Sequence, residues 1–322
     1  MKAASRDRSQ HSREVYADLT GFFLRSLAAP SQARPTVRCL TRADALALAL
    51  QARDAIAEPS IRRLSGAALL ELLEKSRVLE PVQIVPAEGS RESMYTVGLQ
   101  PAETIDPLEL LQAAEPAGLV CYFTALAFHG LTTQSPPHHH IATLVDRPRQ
   151  PPSTAPRVPA GDTGPKRSRD ALGKLRFTFQ SVPYYATSRA LHTLAGIQLR
   201  HLNDRSMVRI TTREQALLDT LHRPVSCGGL SVVWEAWETG LSGLDEARLH
   251  EHLAALDEPR HLRRVGYLLE AFRYTPAAPL QSLLERARTD VASDPAVQVV
   301  PLFPGLPVVT TNTDWRLEVP TV

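Results

Sequence analysis

Two acidic side chains in one short segment are the first candidates for chemistry in this sequence. Residues 209–219 run from a predicted strand into a predicted helix that contains Glu214 and Asp219. A carboxylate pair of this kind could serve a metal-dependent nucleic-acid-processing enzyme. When the leucines of the helix face the core, however, Glu214 falls on their side and Asp219 on the opposite side. Thr211 and Glu214 also have capping-box spacing, which predicts a structural role for Glu214 at the helix N-terminus.

Histidine and cysteine offer the next candidates, as ligands of a metal ion. Residues 138–140 are three adjacent histidines. Neighbours in one short loop rarely bind the same ion, and no nearby cysteine or carboxylate completes a ligand set. Cys39, Cys121 and Cys227 are far apart and lack C-x-x-C spacing, so neither a zinc site nor a disulfide framework is expected. We therefore predict no metal and no cofactor, with reduced thiols in a cytosolic protein.

Sequence motifs for catalysis and for membranes are also missing. There is no G-x-S-x-G, no glycine-rich phosphate loop and no H-E-x-x-H. No segment approaches the roughly 18 consecutive apolar residues of a membrane span, and the polar N-terminus does not resemble a signal peptide. These observations favour a cytoplasmic protein that is not an enzyme and does not contact a membrane.

Charge is unevenly distributed along a chain whose formal net charge is only +2. Residues 1–98 carry +3, residues 99–145 carry −4, residues 146–214 carry +8 and residues 215–322 carry −5. The basic middle includes the proline-rich stretch 146–173, which is predicted to be a mobile loop. Such asymmetry is typical of a face for nucleic acid or an acidic partner, although a basic surface loop without a ligand explains it equally well.

The elements expected in the first third of the chain have the order of a winged helix-turn-helix. Residues 1–14 are expected to be disordered. The predicted elements are a helix from Tyr16, a helix after the N-cap Thr41, a helix over 64–76, and strands over 78–85 (broken by Pro81) and 93–97. Residues 86–90 form the turn between the two strands. This order predicts a DNA-binding domain over residues 15–100.

The remainder, residues 101–322, is predicted to be a mixed α/β domain with a helical C-terminal half. The pattern predicts a buried helix over 119–129 with Gly130 as its C-cap, strands over 140–145, 175–179 and 207–211, helices onward to 288, and extended C-terminal segments. The fold class is therefore α+β, and two domains suit the length of the chain.

Three segments, taken in order, resemble the AbiEi family of bacterial type IV antitoxins. The first is Ala-Leu-x-x-His-Gly-Leu-Thr at 125–132, which contains His129 and Gly130. The second is Thr-x-x-Glu-x-x-Leu-Leu-Asp at 211–219, followed by Gly228-Gly229. The third is Arg-x-Gly-Tyr-Leu at 264–268, which contains Arg264 and Tyr267. The resemblance spans about 119–272. The basic insert 146–173 and the long first half of the N-terminal domain depart from the family pattern.

The resemblance implies a two-part regulator. The N-terminal winged helix-turn-helix would repress the operon by binding inverted repeats in promoter DNA. The C-terminal antitoxin domain would neutralise a nucleotidyltransferase toxin encoded next to it. Neither part would be catalytic, and the matched residues, including Glu214 and Asp219, would serve as a structural signature. For His129, at a helix end, the expected role is to cap carbonyl groups.

The cations of the N-terminal domain are the candidate DNA contacts. They are Arg53, Arg62, Arg63, Lys75, Arg77 and Arg91. Arginine suits both phosphate and base edges, although each such residue alone is more often simply solvated. Glu71 and Glu74 on the third helix would repel phosphate. We therefore expect contact near the start of that helix, at Arg62 and Arg63, and at the wing tip with Arg91.

Three functions remain open from the sequence. The chain is expected to be an antitoxin and autorepressor; the alternative is a stand-alone winged-helix regulator without a toxin partner. An enzyme would need a carboxylate cluster around Glu214 and Asp219, which the helical period opposes. The operator, the toxin's target and the number of copies on DNA are not defined by the sequence.

Overall fold

The computed structural model describes residues 16–27, 38–98, 101–146 and 172–320. The expected disorder at 1–14 and nearly all of the basic stretch 146–173 lie outside the described residues. The expected α+β class is confirmed, since helices alternate along the chain with strands that form several sheets. The chain divides into two compact units, each built from separate segments. The first comprises the described parts of Met1–Ala117, Arg176–Ser181 and Leu199–Val208, and the second those of Gly118–Leu175, Val182–Gln198 and Arg209–Val322.

The first unit contains the helices and the hairpin that the sequence predicts, together with elements that it does not. In chain order its elements are α1 (16–27), β1 (Cys39–Thr41), α2 (Arg42–Ala55), α3 (Pro59–Arg62), α4 (Gly66–Lys75), β2 (Leu79–Val82), β3 (Val85–Pro86), β4 (Met94–Val97) and α5 (Pro107–Ala114). The strand β1 and the helices α3 and α5 were not predicted.

A three-stranded sheet of order β1-β4-β2 stands at the centre of this unit. Both outer strands pair antiparallel with β4, with Leu40 opposite Tyr95 on one side and Pro81 opposite Tyr95 on the other. The expected break at Pro81 is wrong, because β2 is an edge strand and an edge tolerates a residue that lacks an N–H. The predicted strand over 78–85 ends instead at Val82, and β3 pairs with Phe177 and Thr178 of a later strand.

The helices of the first unit form where capping and apolar spacing agree. The Thr41 hydroxyl accepts a hydrogen bond from the Asp44 N–H, so the alternating Ala-Leu run of α2 begins as a helix, as predicted. Ser65 caps α4 in the same way, which moves its start two residues past the predicted one. The small buried side chains of α2, such as Ala49, let the leucines of α4 pack closely, and Leu69 and Leu73 are fully buried there.

The remaining elements follow in chain order. They are β5 (Leu119–Val120), α6 (Phe123–Phe128), β6 (His139–Val145), β7 (Lys174–Phe179), β8 (Val182–Ala190), β9 (Ile197–Asn203), β10 (Ser206–Thr211), α7 (Arg213–His222), α8 (Leu230–Leu241), α9 (Glu246–Leu256), α10 (Pro259–Ala271), α11 (Ala278–Ser293), β11 (Val300–Pro301), β12 (Thr310–Asn312) and β13 (Leu317–Val319). The predicted strands over 140–145, 175–179 and 207–211 are confirmed, as are the helices after them and the extended C-terminal segments.

Within the second unit the strand order is β8-β6-β5-β10. Strand β10 pairs in parallel with β5, with Ile210 opposite Val120, and β6 pairs in parallel with β8. The predicted helix over 119–129 is therefore wrong at its start, because Leu119 and Val120 form a strand between two others. A strand buried on both faces has a continuous apolar sequence that periodicity cannot separate from a buried helix. The helix itself begins at Phe123.

Helix α7 is the core helix of the second unit. It contacts α6, α8, α9 and α10, and all its residues from Glu214 to Leu221 are buried. The C-terminal strands form a small sheet of order β11-β13-β12. Within the described residues, no helix combines the length and the apolar character that crossing a membrane requires.

Candidate functional site

Arg62 and Arg63 lie just before helix α4, at the end of the one-turn helix α3. Both side chains are exposed, and the Arg62 Nε donates to the Ile56 carbonyl over 2.9 Å. The Ser65 hydroxyl accepts from the Ala68 N–H and fixes the N-terminus of α4 beside them. Because a helix N-terminus carries partial positive charge, this end of α4 is electropositive. We call Arg62, Arg63 and Ser65 the α4 entry.

Arg53, a third predicted contact, is half-buried and already engaged. Its Nε donates to the Asp54 carboxylate over 2.8 Å, and its Nη1 donates to the Leu64 carbonyl over 3.4 Å. The side chain thus connects the end of α2 to the residue that precedes Ser65. Its geometry fits a residue that positions the α4 entry.

Lys75 and Arg77 lie at the other end of α4. Lys75 Nζ is 2.6 Å from a Glu71 carboxylate oxygen, and this contact raises the pKa of Lys75 while lowering that of Glu71. Arg77 is exposed and has a φ of 58°. The ten residues of α4 span about 15 Å, so these two cations are separated from the α4 entry. Arg91 is exposed in the connection between β3 and β4. The six predicted contacts therefore do not form one cluster.

The sequence did not single out Arg42, which joins a polar chain next to α4. Its Nη1 donates to the Tyr95 hydroxyl over 3.2 Å, and that hydroxyl donates to the Glu74 carboxylate over 2.8 Å. Burial and the Glu74 contact raise the pKa of Tyr95. The position of Arg42, directly after the N-cap Thr41, is the signal that could have placed it at an exposed helix start.

A second group of cations in the first unit was also missed. Arg200 and Arg205 are exposed in the hairpin of β9 and β10, for which only the second strand was predicted. The hairpin is anchored because the Asn203 amide donates to the buried Glu109 carboxylate over 3.0 Å. Arg38 contacts the same carboxylate over 3.2 Å. Arg200 and Arg205 thus lie on a hairpin that is hydrogen-bonded to Glu109 of α5.

The capping pattern predicted for helix α7 is wrong by one residue. Thr212 is the N-cap, and its hydroxyl accepts from the Gln215 N–H over 3.2 Å. Thr211 remains the last residue of β10, and its buried hydroxyl has no hydrogen-bond partner. Glu214 is buried, as the helical period predicts, and Arg248 is 3.8 Å from its carboxylate.

Asp219 is also buried, although it lies across the helix from Glu214. Its Oδ1 is 2.6 Å from Arg189 Nη2 and accepts a second hydrogen bond from the Gln215 amide over 2.9 Å. The two carboxylates therefore serve different partners. Arg189 of strand β8 thus reaches the side of α7 on which the helical period places Asp219.

A hydroxyl and an imidazole meet at the start of α7 in an arrangement that resembles a nucleophile and a base. Thr212 Oγ1 lies 2.9 Å from His252 Nε2, and both residues are buried. The same hydroxyl already caps the helix. Gly196 packs against both groups so closely that a side chain at this position would collide with them. The contact is therefore a packed hydrogen bond that leaves no space for a substrate atom.

The histidine and glycine at the end of α6 have defined structural roles. His129 Nε2 lies 2.8 Å from the Thr211 carbonyl, so it joins the end of α6 to the end of β10. The expectation that His129 caps carbonyls of its own helix is corrected by this contact. Gly130 has a φ of 65°, which confirms it as the residue that ends the helix.

The other signature residues also act through packing. Gly228 and Gly229 have φ values of 99° and 87°, and Gly228 lies against Phe123. Arg264 donates to the Leu221 carbonyl over 2.9 Å and to the Pro301 carbonyl over 3.0 Å.

Tyr267, the last signature residue, is half-buried, and burial raises its pKa. Its neighbour Gly266 lies directly under the Trp315 ring. Together the three segments hold α6, α7, α10 and the C-terminal strands in place.

The three adjacent histidines are buried and separately engaged. His140 Nε2 is 2.6 Å from the Leu172 carbonyl, and His138 Nε2 is 3.1 Å from the Ser226 carbonyl. Burial lowers the pKa of His140 to about 3 and that of His139 to about 4, so both are neutral at physiological pH. Among the residues that the structure describes, no group of three or more histidine, cysteine or acidic side chains could hold a metal ion.

Comparison with known proteins adds little to this geometry. Neither the models of known protein families nor the curated proteins give a match. Among solved structures, the chain is similar to the crystal structure of the RV2827C protein from Mycobacterium tuberculosis, with a TM-score of 0.44. The two sequences are 14% identical, and the similarity covers 87% of this chain and 86% of that chain. A likeness at this level carries no inference about function.

Proposed function

We propose that this chain is an antitoxin of the AbiEi type that represses its own operon. The observation that carries the proposal is the order of elements in the first unit. A helix, a strand, two main helices and a hairpin follow one another as α1-β1-α2-α4-β2-β4, around a sheet of order β1-β4-β2. This order is typical of a winged helix-turn-helix, in which α4 enters the DNA major groove and the connection after β2 forms the wing.

The charges around α4 indicate how the unit would meet DNA. The exposed face of α4 carries Glu71, and Glu74 is bound to Tyr95. Phosphates are therefore best approached at the α4 entry, where Arg62 and Arg63 flank the helix N-terminus. Arg91 in the wing would supply a separate phosphate contact. The antitoxin half of the proposal rests on the signature residues of the second unit and their resemblance to the family.

Promoter binding is tested with a double variant, Arg62→Ala with Arg63→Ala. Fluorescence anisotropy with labelled promoter DNA should show salt-sensitive binding of the wild type. Loss of two phosphate contacts should reduce the slope of log K against log salt by about 2 and weaken binding to all sequences alike. Arg286→Ala, an exposed arginine on α11, is the control in the second unit. Salt-independent binding by the wild type would count against a repressor.

Toxin neutralisation is tested by co-expression with the product of the neighbouring gene. The wild type should restore growth, and the Arg62→Ala, Arg63→Ala variant should do so equally well, since these residues lie outside the second unit. Toxicity that persists with soluble wild-type protein contradicts the antitoxin assignment.

A stand-alone regulator is the second candidate. It is favoured by the finding that the signature residues, such as Gly228 and Arg264, serve packing within the second unit. Such residues would be needed whether or not the chain has a toxin partner. Promoter binding without a nucleotidyltransferase gene alongside would select this alternative.

A further inference from the structure

The exposed face of helix α4 carries one stripe of side chains at a spacing of four residues. Ala67, Glu71 and Lys75 form this stripe, and 63% of the Glu71 side chain and 75% of the Lys75 side chain are exposed to solvent. The opposite face holds Leu69 and Leu73, which are fully buried where α4 packs on α2. The stripe is therefore the surface of α4 that a partner can reach.

In the proposed promoter complex, on which this inference rests, the stripe faces the base edges in the major groove. The N-terminal residues of a recognition helix are the ones that lie closest to the bases. Ala67, in the first turn of α4, contributes only a methyl group to the stripe. Its small size lets the N-terminal half of α4 approach the base edges closely.

The composition of α4 limits how the helix can read bases. It contains no arginine, asparagine or glutamine, the side chains that commonly read guanine and adenine. Its charged residues are Glu71, Glu74 and Lys75. The Glu74 carboxylate accepts from the Tyr95 hydroxyl over 2.8 Å, and Lys75 is the last residue of the helix. Glu71, in the middle of α4, is therefore the side chain best placed to read a base edge.

A carboxylate accepts hydrogen bonds and donates none, and this property selects among the four bases. In the major groove guanine presents the acceptors N7 and O6, and thymine presents the acceptor O4 and a methyl group. These acceptors would repel Glu71. Adenine presents its N6 amino group beside the acceptor N7, which would repel the second carboxylate oxygen. Cytosine presents the N4 amino donor alone, so it is the base that matches Glu71.

The ion pair between Glu71 and Lys75 is compatible with such a contact. Lys75 Nζ lies 2.6 Å from one carboxylate oxygen of Glu71, and a carboxylate has about four acceptor positions in all. Because both side chains are exposed, the pair is weak and can rearrange at a DNA surface.

We propose that Glu71 is a specificity-determining residue that reads cytosine in the major groove. Its carboxylate accepts a hydrogen bond from the cytosine N4 amino group. Arg62 and Arg63 at the α4 entry bind phosphates and thereby offset the repulsion between the DNA backbone and the Glu71 carboxylate. The phosphate contacts supply affinity for any sequence, and Glu71 determines the base at one position of the bound sequence.

The test is in vitro selection by the full chain from a random library of double-stranded DNA. The wild type should enrich a motif with cytosine at one fixed position. Glu71→Gln should enrich the same motif with adenine there, because a glutamine amide pairs with N6 and N7 of adenine. In anisotropy titrations, replacing that cytosine should weaken wild-type binding about tenfold and should not affect binding by Glu71→Ala.

The control is Glu103→Gln, which changes an exposed acid of the first unit outside α4 and should leave the motif unchanged. If Glu71 affects only the charge of the surface, Glu71→Gln will gain affinity for all sequences alike and keep the wild-type motif. Either result would overturn the reading of cytosine while leaving promoter binding intact. A wild type that enriches no motif would overturn sequence-specific promoter binding and the role of Glu71 together.

Discussion

Gly228 and Gly229 are neighbours that both have a positive φ but lie in different surroundings. Both have a positive φ, yet a Cβ at Gly228 would lie 2.7 Å from Phe123 and from Val232, whereas one at Gly229 would have nothing within 4 Å. Gly229→Ala should therefore cost about 1 kcal/mol in the free energy of unfolding, from backbone strain alone. Gly228→Ala should cost about 2–4 kcal/mol, because overpacking adds to that strain. Urea unfolding of the two variants measures the difference, and equal losses would show that the contact with Phe123 is immaterial.

His140 makes the stability of the protein depend on pH. Burial lowers its pKa to about 3 from an ordinary 6.5, so the folded chain binds this proton more weakly than the unfolded chain does. The contribution is complete above about pH 6.5 and is lost as the pH falls towards 3, by up to about 1.4 kcal/mol per pH unit. Unfolding in urea at about pH 7 and about pH 5.5 should show a smaller difference for His140→Gln than for the wild type. His201→Gln, at an exposed position, is the matched control and should retain the full difference.

Helix α7 depends on which of two consecutive threonines caps it. Thr212 caps the helix and contacts His252 over 2.9 Å, whereas the Thr211 hydroxyl is buried without a partner. Thr212→Ala should lower the free energy of unfolding by about 1–2 kcal/mol. Thr211→Val keeps the shape and removes an unpaired hydroxyl, so it should be neutral or stabilising. Thermal unfolding of both variants tests the cap assignment. A larger loss of stability in Thr211→Val than in Thr212→Ala would contradict it.

Elements that form because of neighbouring residues in the sequence could be predicted. Strands that form only by pairing with a distant segment of the chain could not. Helix α2 follows from its Thr41 cap and its alanines, and β6 and β7 follow from their composition. By contrast, β1 has only three residues and exists because Cys39 pairs with Thr96. Likewise Leu119 and Val120 form a strand because Ile141 and Ile210 are available beside Val120. Long-range pairing of this kind leaves no periodic signal in so short a segment.

At the scale of the whole molecule, the first unit is not one continuous stretch of chain. The buried Glu109 of α5 depends on Asn203 from a later segment, and Val85 of β3 pairs with Thr178 from another. A fragment of residues 1–117 should therefore be less stable than the same unit in the full chain. Hydrogen exchange should show lower protection of α5 amides in the fragment. Equal protection would mean that the returning segments are dispensable.

Only some of the candidate DNA contacts could be predicted from the sequence. Composition indicated a basic chain region, and the helix order indicated where Arg62 and Arg63 would stand. The exposed Arg200 and Arg205 were missed because they follow a part of the chain with no predicted structure. The buried pair of Arg189 and Asp219 could not be predicted, since the two residues come from distant segments and share no spacing rule.

The close fit of Trp315 over Gly266 has a practical consequence for spectroscopy. This indole is only 2% exposed, and its Nε1 donates to the Glu270 carboxylate over 2.8 Å. Its emission should lie at short wavelength while the C-terminal strands are docked and should shift to the red when they detach. Of the three tryptophans, Trp315 alone is in that sheet region, so Trp234→Phe with Trp237→Phe would leave a single built-in reporter of C-terminal release. That signal could be followed in real time while DNA or a protein partner is added.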